Sequence, residues 1–254
     1  MSVMTVLAII PARYASTRFP AKLLQTIMGK SVLQRTYESV QESCFIDDIL
    51  IATDDKRIQE HVESFGAKAV MTSPDCPTGT DRLIQVLTNY PELTKADIIL
   101  NVQGDEPCIH KETINKTLQA MIQAPDEVLA TACVPITDQY DVMSPSVVKV
   151  VLDKTGHALY FSRSPIPASH PKQTNRPTYL KHLGIYAYRR DFLLTYGSLA
   201  PTPLQLIEDL EQLKVLESGY KIRVVTVSHS SPHVDIPEDI QRVQEWLCNQ
   251  NISL

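Results

Sequence analysis

Three cations and two hydroxyls fall on one short stretch of this sequence. Arg13, Arg18 and Lys22 lie within ten residues, and Ser16 and Thr17 stand between them. Guanidinium groups fork onto phosphate oxygens and an ammonium supplies a point charge, so the set suits a triphosphate. A solvated basic loop has the same composition. A second cluster is Asn101-Val102-Gln103-Gly104-Asp105-Glu106-Pro107. A hard cation such as Mg2+ takes carboxylates and phosphate oxygens while keeping several waters. Asp105 facing a basic phosphate loop would therefore serve metal-assisted nucleotidyl transfer. The same run also reads as an acidic turn, bent at Gly104 and stopped by Pro107. The third cluster is Ser228–Asp239, which holds His229, His233, Asp235, Glu238 and Asp239. Asp235 stands near the N-cap of a helix whose first turn suits Pro237. His229 and His233 are four apart in a loop, without the further ligands that zinc needs.

These clusters need elements to position them. Apolar runs of strand length occur at Thr5–Ile10, Ile49–Thr53, Ala67–Met71, Ile98–Val102 and Leu129–Val134. Helical patterns lie between them at Ser31–Ser43, Lys56–Phe65, Thr80–Asn89 and Lys111–Gln123. Asp54 or Asp55 can cap the second of these helices, and Thr78 or Thr80 the third. Continuous apolar strands alternating with helices imply an α/β fold with a doubly wound, mostly parallel sheet. Ligands bind such sheets at the carboxyl ends of the strands, where strand order reverses. The basic cluster follows the first strand and the acidic one closes the fourth, so both belong at that rim.

The second half differs. Val147–Leu152 and His157–Ser162 flank Asp153-Lys154-Thr155-Gly156, a hairpin signal. Leu183–Tyr188 is a further strand. Four prolines between 165 and 177 mark a surface loop running to about 181. Helices at Arg190–Tyr196 and Gln205–Ser218, a strand at Ile222–Val227 and a helix from Pro237 to about Cys248 complete the chain. The expectation is one domain over 1–254, with an inserted hairpin and loop at about 145–190 that could serve in dimer contact or as a lid.

Composition narrows the function classes. A length of 254 residues is near the limit of a single core, at roughly 250–300 residues. Hydrophobic residues make up 43% and charged residues 21%, which excludes a disordered or fibrous chain. A net charge of −5 gives nothing global for a phosphate-coated polymer, so nucleic acid is not expected as a partner. No apolar stretch approaches the roughly 18–20 residues that cross a bilayer. The longest run, Val6–Ala12, has no basic residue before it and Arg13 after it, the reverse of a signal peptide. Five scattered cysteines with no C-x-x-C pair suggest reduced thiols in a cytoplasmic protein. Two familiar nucleotide motifs fail. No G-x-G-x-x-G follows the first strand, and Leu24 stands where a P-loop ending in Gly29-Lys30-Ser31 needs glycine.

Taken together, the segments resemble one family, the 3-deoxy-manno-octulosonate (Kdo) cytidylyltransferases. Ile10-Pro11-Ala12-Arg13-Tyr14-Ala15-Ser16-Thr17-Arg18-Phe19-Pro20-Ala21-Lys22 is similar to its signature. Ala52-Thr53-Asp54, Thr78-Gly79-Thr80-Asp81-Arg82, the Asn101–Pro107 run and Val148-Lys149-Val150-Val151 follow in the family's order. So do Tyr160-Phe161-Ser162-Arg163, His182–Arg189, Glu208–Leu213 and Val234–Asp239. The departures are Ala21 and Ala187, where glycine is usual, and Met28, where a polar turn residue is usual. They touch backbone freedom and remove no charged group.

The resemblance implies a Rossmann-like nucleotidyltransferase sheet and the reaction of CTP with Kdo to give CMP-Kdo and pyrophosphate, for lipopolysaccharide synthesis. It implies that Arg13, Arg18 and Lys22 bind phosphates, and that Arg82, Gln103 and the Ala12 backbone hold the cytidine. Asp105 and Asp235 would bind Mg2+. His182, Tyr186, Glu208 and Gln212 would contact Kdo; by themselves they read as a core histidine, a core tyrosine and two exposed helix residues. A homodimer is also implied. The sugar's hydroxyl attacks the α-phosphorus in line, and no residue must act as its base. A sialic acid cytidylyltransferase is the nearest rival, although Tyr14-Ala15 stands where that family carries glycines. A non-catalytic nucleotide-binding protein of the same fold would be expected to lack Asp105 and Asp235.

Overall fold

All seven residues of the first strand, β1 (Val6–Ala12), are buried, with no alternation of faces. A strand covered on both faces reads this way. The computed structural model describes residues 4–15, 18–168, 170 and 177–252. Ser16 and Thr17 of the basic cluster, and residues 169 and 171–176 of the proline-rich loop, lie outside the described residues. The chain forms two compact units, Met1–Asn115 with Ser230–Leu254, and Lys116–His229.

The first unit continues with a 3-10 turn (Lys22–Leu24), β2 (Thr26–Ile27), β3 (Lys30–Ser31), α1 (Val32–Gln41), β4 (Asp48–Thr53), α2 (Lys56–Ser64), β5 (Lys68–Met71), α3 (Gly79–Asn89) and β6 (Ile98–Asn101). Its sheet runs β6-β1-β4-β5, and every pair is parallel. The chain leaves β1 towards β4 and β5, then returns to pair β6 on the other side. Strand order therefore reverses at β1, and the carboxyl ends of β1 and β6 flank the place where such sheets bind ligands.

Strand β1 extends two residues beyond the expected end at Ile10. Pro11 and Ala12 pair with Ala52 and Thr53. Proline offers no N–H to a ladder, but β6 makes its last rung with β1 at Ile9. Pro11 thus stands beyond the ladder on that side.

Helices α1, α2 and α3 each start where a side chain caps them. Ser31 Oγ accepts from the Gln34 N–H, Asp55 Oδ1 from the Arg57 N–H and Thr78 Oγ1 from the Asp81 N–H. Of the alternatives posed by the sequence, Asp55 and Thr78 do the capping. Gly29-Lys30-Ser31 has no phosphate-loop character: Lys30 pairs with Glu38 at 2.7 Å, and Ser31 caps α1.

The second unit follows α4 (Lys111–Gln123), which begins in the first. It holds β7 (Leu129–Pro135), α5 (Gln139–Met143), β8 (Lys149–Leu152), β9 (Ala158–Ser162), β10 (Leu180–Arg189), α6 (Arg190–Ser198), α7 (Pro203–Glu208), α8 (Glu211–Glu217) and β11 (Arg223–Thr226). Strand β11 is parallel to β7, while β10 is antiparallel to both β7 and β8. Strands β8 and β9 form the expected antiparallel hairpin. The chain then returns to the first unit for α9 (Asp239–Ile252). The fold is α/β, as the alternation of strands and helices predicts.

Three expected boundaries are corrected. The helix expected over Gln205–Ser218 is two helices, because Asp209 adopts a left-handed conformation (φ 51°) that a continuing helix does not allow. Strand β10 begins at Leu180, inside the expected loop. The last helix begins at Asp239 rather than Pro237.

The loop after β6 is held from two sides. A Cβ on Gly104 would lie 3.0 Å from the Pro11 carbonyl oxygen and 3.3 Å from Leu23. The buried Thr36 hydroxyl of α1 reaches the Gly104 carbonyl at 2.9 Å. Thr36→Val keeps the shape and strands that carbonyl. The expected loss is about 1–3 kcal/mol of stability, read as a lower urea midpoint at unchanged slope.

Candidate active site

The basic loop and both acidic clusters meet at one ammonium. Lys22 Nζ lies 2.5 Å from Asp105 Oδ2, 3.3 Å from Asp235 Oδ1 and 3.0 Å from the Val234 carbonyl oxygen. Arg18 forks onto Asp235, with Nη2 3.1 Å from Oδ1 and Nη1 3.0 Å from Oδ2. Lys22 is mostly enclosed, its side chain 14% exposed, whereas that of Arg18 is 67% exposed. The Val234 N–H donates to the Asp105 carbonyl at 3.0 Å, which ties the segment before α9 to the loop after β6. The structure thus brings Arg18, Lys22, Asp105 and Asp235 together.

Asp235 is not the cap of α9. Among the described residues, its carboxylate accepts no bond from the first turn of the helix; instead its own N–H, with that of Ile236, donates back to Oδ2 of Asp239, the first helical residue, at 2.8 and 3.1 Å. The carboxylate of Asp235 is left to face the two cations. Arg13 is exposed just beyond the end of β1. Tyr14 beside it lies under the Arg57 guanidinium, 3.4 Å from the ring centroid.

The donor set fits a hard divalent cation. Two carboxylate oxygens and one carbonyl oxygen converge on the ammonium, so they already share a single positive charge. Mg2+ is commonly held by one or two carboxylates, with waters and phosphate oxygens completing the shell. Among the described residues, no group of three or more His, Cys, Asp or Glu side chains is placed to hold a metal. Phosphate oxygens and waters would have to supply the rest.

Around the carboxyl ends of β4 and β6 lies a second, more buried polar group. Arg82 is buried in α3, bonded through Nη2 to Asp54 Oδ2 at 3.0 Å and through Nη1 to Thr72 Oγ1. The guanidinium is thus fixed by protein groups; its part as a cytidine contact comes from the resemblance. Gln103 Nε2 points to Asn101 Oδ1 at 3.5 Å. Its amide passes over Gly79, where a Cβ would meet it at 3.5 Å and Pro11 at 3.3 Å. Asp54 Oδ1 and Asn101 Nδ2 are buried without a hydrogen-bond partner. Such orphans are uncommon in folded proteins and call for an explanation.

The second unit gathers the other four candidates. His182 and Tyr186 lie on β10, their rings 5.4 Å apart, and Phe161 meets His182 edge-on at 5.0 Å. His182 Nε2 is 2.9 Å from Thr131 Oγ1, which is itself 2.7 Å from the Ile185 carbonyl. A hydroxyl has one proton, and the closer carbonyl takes it. The network therefore assigns the imidazole proton to Nε2 and leaves Nδ1 an acceptor. Burial pushes the pKa of His182 down to about 3. Tyr186 donates to Gln212 Oε1 at 3.2 Å, and desolvation holds its phenol well above the usual range.

Glu208 closes α7. Its Oε1 accepts from Ser162 at 2.6 Å and from Tyr160 at 3.4 Å, and its Oε2 accepts from the Arg163 N–H at 2.9 Å. Desolvation works to raise its pKa, but these donors outweigh it and hold the carboxyl below its ordinary value. Neither helix residue is an exposed one: Glu208 is half-buried and Gln212 is buried.

Sequence reasoning assigned no role to several residues that hold these groups. The wholly buried Lys149 donates to the Ser144 and Val147 carbonyls at 2.9 and 2.7 Å, and also to the Arg163 carbonyl. Its burial lowers its pKa. Asp239, Thr131 and Thr36 were also missed. Lys149 interrupts an apolar strand, a signal that a buried charge needs a purpose.

Residues 7–222 match the family model described as Cytidylyltransferase. A 3-deoxy-manno-octulosonate cytidylyltransferase of Protochlamydia amoebophila is 52% identical over 98% of this chain and 96% of its own length. The relative of the same name from Geobacter metallireducens is 46% identical over 96% of this chain and 98% of its own. Among solved structures, a CMP:2-keto-3-deoxy-manno-octonic acid synthetase complexed with CTP superposes with a TM-score of 0.91 at 40% identity, covering 97% of this chain and 99% of its own.

The depressed His182 pKa sets a pH dependence. The group is neutral when folded but takes a proton near its ordinary 6.5 when unfolded. Its contribution is therefore complete above pH 6.5 and declines as pH falls from there towards 3. Between those limits, one proton is worth about 1.4 kcal/mol per pH unit. His182→Gln should flatten the fall in stability between pH 6 and 4.5 by that slope, measured by urea unfolding.

Proposed function

This chain belongs to the 3-deoxy-manno-octulosonate cytidylyltransferase family, and from that premise we propose how its own residues transfer CMP from CTP to the anomeric hydroxyl of Kdo, releasing pyrophosphate. The observation that carries the reading is the convergence of Asp105, Asp235, Lys22 and Arg18 beside the point where strand order reverses.

Phosphoryl transfer leaves a protein mainly positioning and charge to supply. Arg13, Arg18 and Lys22 take the β- and γ-phosphates and stabilise the charge on the departing pyrophosphate. Gln103, Arg82 and the Ala12 backbone hold the cytidine. The orphaned Asn101 Nδ2 and Asp54 Oδ1 support a polar ligand at this place. Asp105 and Asp235 would hold Mg2+, which would supply Lewis-acid polarisation of the α-phosphate and a lowered pKa for the sugar hydroxyl. No strong protein base is then required.

In the second unit, His182 offers an acceptor at Nδ1, Gln212 an amide, and Tyr186 and Glu208 a fixed phenol and carboxylate. This mixture suits a polyhydroxy acid. The neutral imidazole accepts from a sugar hydroxyl at ordinary pH without competing for protons. The enzyme is read as a cytoplasmic homodimer feeding lipopolysaccharide synthesis. Five unpaired cysteines are in keeping with a reducing compartment, and exposed Leu159, Leu206 and Ile207 with an interface.

The test is pyrophosphate release with Mg2+ and CTP, comparing Kdo with sialic acid. Release with Kdo alone is expected. Release with sialic acid alone would overturn the sugar assignment, and release with neither would overturn the catalytic one. Asp105→Asn and Asp235→Asn should each lower Mg2+-dependent turnover by more than about a hundredfold while the circular dichroism spectrum is kept. Near-normal turnover in either would remove that residue from the metal site. Arg18→Ala should raise the KM for CTP, and an unchanged KM and kcat would contradict its phosphate role.

A further inference from the structure

The ammonium of Lys22 stands where the metal reading puts a cation. Its three closest oxygens, Asp105 Oδ2, Asp235 Oδ1 and Val234 O, lie at 2.5, 3.3 and 3.0 Å. Arg18 neutralises the remaining oxygen of Asp235 at 3.0 Å. Two cations and two anions therefore form a charge-balanced quartet. A divalent ion cannot simply be added to it. It would need the same oxygens and would lie within a few ångströms of the ammonium, in a pocket where Lys22 is largely shielded from water.

We propose that Lys22 is a placeholder for the metal: it occupies the Asp105–Asp235 site until a triphosphate draws it away, so that the triphosphate and the divalent ion bind as a coupled pair. The exchange balances in charge. Lys22 and Arg18 move from carboxylate to phosphate oxygens, the two carboxylates are left with a charge of −2, and the divalent ion restores neutrality. In the free enzyme, Lys22 also keeps the two carboxylates from repelling one another, so the ligand pair is assembled before the metal arrives.

The exchange explains why the phosphate loop and the metal carboxylates are in direct contact here rather than held apart. A loop serving the phosphates alone has no need to engage both aspartates. It also assigns Lys22 two partners in succession, and the sign of its effect on metal binding then depends on whether nucleotide is present. This inference rests on the proposed metal role of Asp105 and Asp235, and the experiment separates the two.

The probe is Mn2+, followed by electron paramagnetic resonance on chelator-treated enzyme without Kdo. Without nucleotide, Lys22→Met should bind Mn2+ about tenfold or more tightly than wild type, because the competitor that keeps most molecules closed to metal is gone. With CTP present the order should invert, since the variant lacks a phosphate contact and should take up the Mn2+–CTP complex more weakly. A residue that merely supported the fold would weaken both. Lys22→Gln guards against an effect peculiar to methionine, and both variants should melt lower in chelator and recover more on Mn2+ addition than wild type. If both variants bind Mn2+ alone no tighter than wild type, while Asp105→Asn still weakens it, the exchange is wrong and the metal site stands. If wild type takes up no Mn2+ with or without CTP, the metal site fails and the inference with it.

Discussion

A single ammonium joins three segments that the chain separates widely. Lys22 belongs to the loop after β1, Asp105 to the loop after β6, and Asp235 to the segment before α9. Nothing local brings these together. The parallel pairing of β1 with β6 sets two of them at one rim, and the bond from the Val234 N–H to the Asp105 carbonyl delivers the third. Like charges on Asp105 and Asp235 would not remain close without a cation between them. The order of the β6-β1-β4-β5 sheet, the close approach of Gly104 to Pro11 and the hydroxyl of Thr36 all serve to hold that cation's partners in place.

The second unit depends on a comparable economy of charge. Glu208 ends α7 and is fixed by Ser162, Tyr160 and the Arg163 N–H, while the Arg163 carbonyl is itself bonded to the buried Lys149. The break at Asp209 makes this possible. A continuous helix over 205–218 would carry the chain past Glu208 without the reversal at Asp209. The left-handed turn is followed by α8, where Gln212 meets Tyr186. A hydrogen-bonded carboxylate and a neutral histidine then stand in the same unit, each with its protonation state fixed by its surroundings.

Strands with continuous apolar runs and helices with clear caps were legible in the sequence, because burial on both faces and Ser, Thr or Asp at the caps leave direct marks. The boundary at Asp209 was not legible: the apolar spacing carries through it, and only backbone conformation stops the helix. The extension of β1 through Pro11 was hidden by a residue that strands usually exclude. Asp235 was ambiguous because a cap and a ligand are both carboxylates before a helix; in the structure its carboxylate faces Arg18 and Lys22 rather than the first turn of α9. The two departures at Ala21 and Met28 prove to be informative. Both residues have positive φ, 53° and 47°, the conformation in which glycine would be unstrained. Lys149 leaves a local mark, a charge inside an apolar strand, whereas the role of Thr131 comes from partners on β10 distant in sequence and carries no local signature.

Catalysis at this rim requires Asp105 and Asp235 to share one divalent ion once Lys22 has been drawn to phosphate. A crystal of the enzyme grown with CTP and Mn2+ and measured at the manganese absorption edge tests this directly. The expected result is an anomalous peak between the two carboxylates, with Lys22 Nζ on a phosphate oxygen and no longer on Asp105. A manganese peak away from the two carboxylates, or Lys22 still bonded to Asp105 with the nucleotide in place, would contradict it.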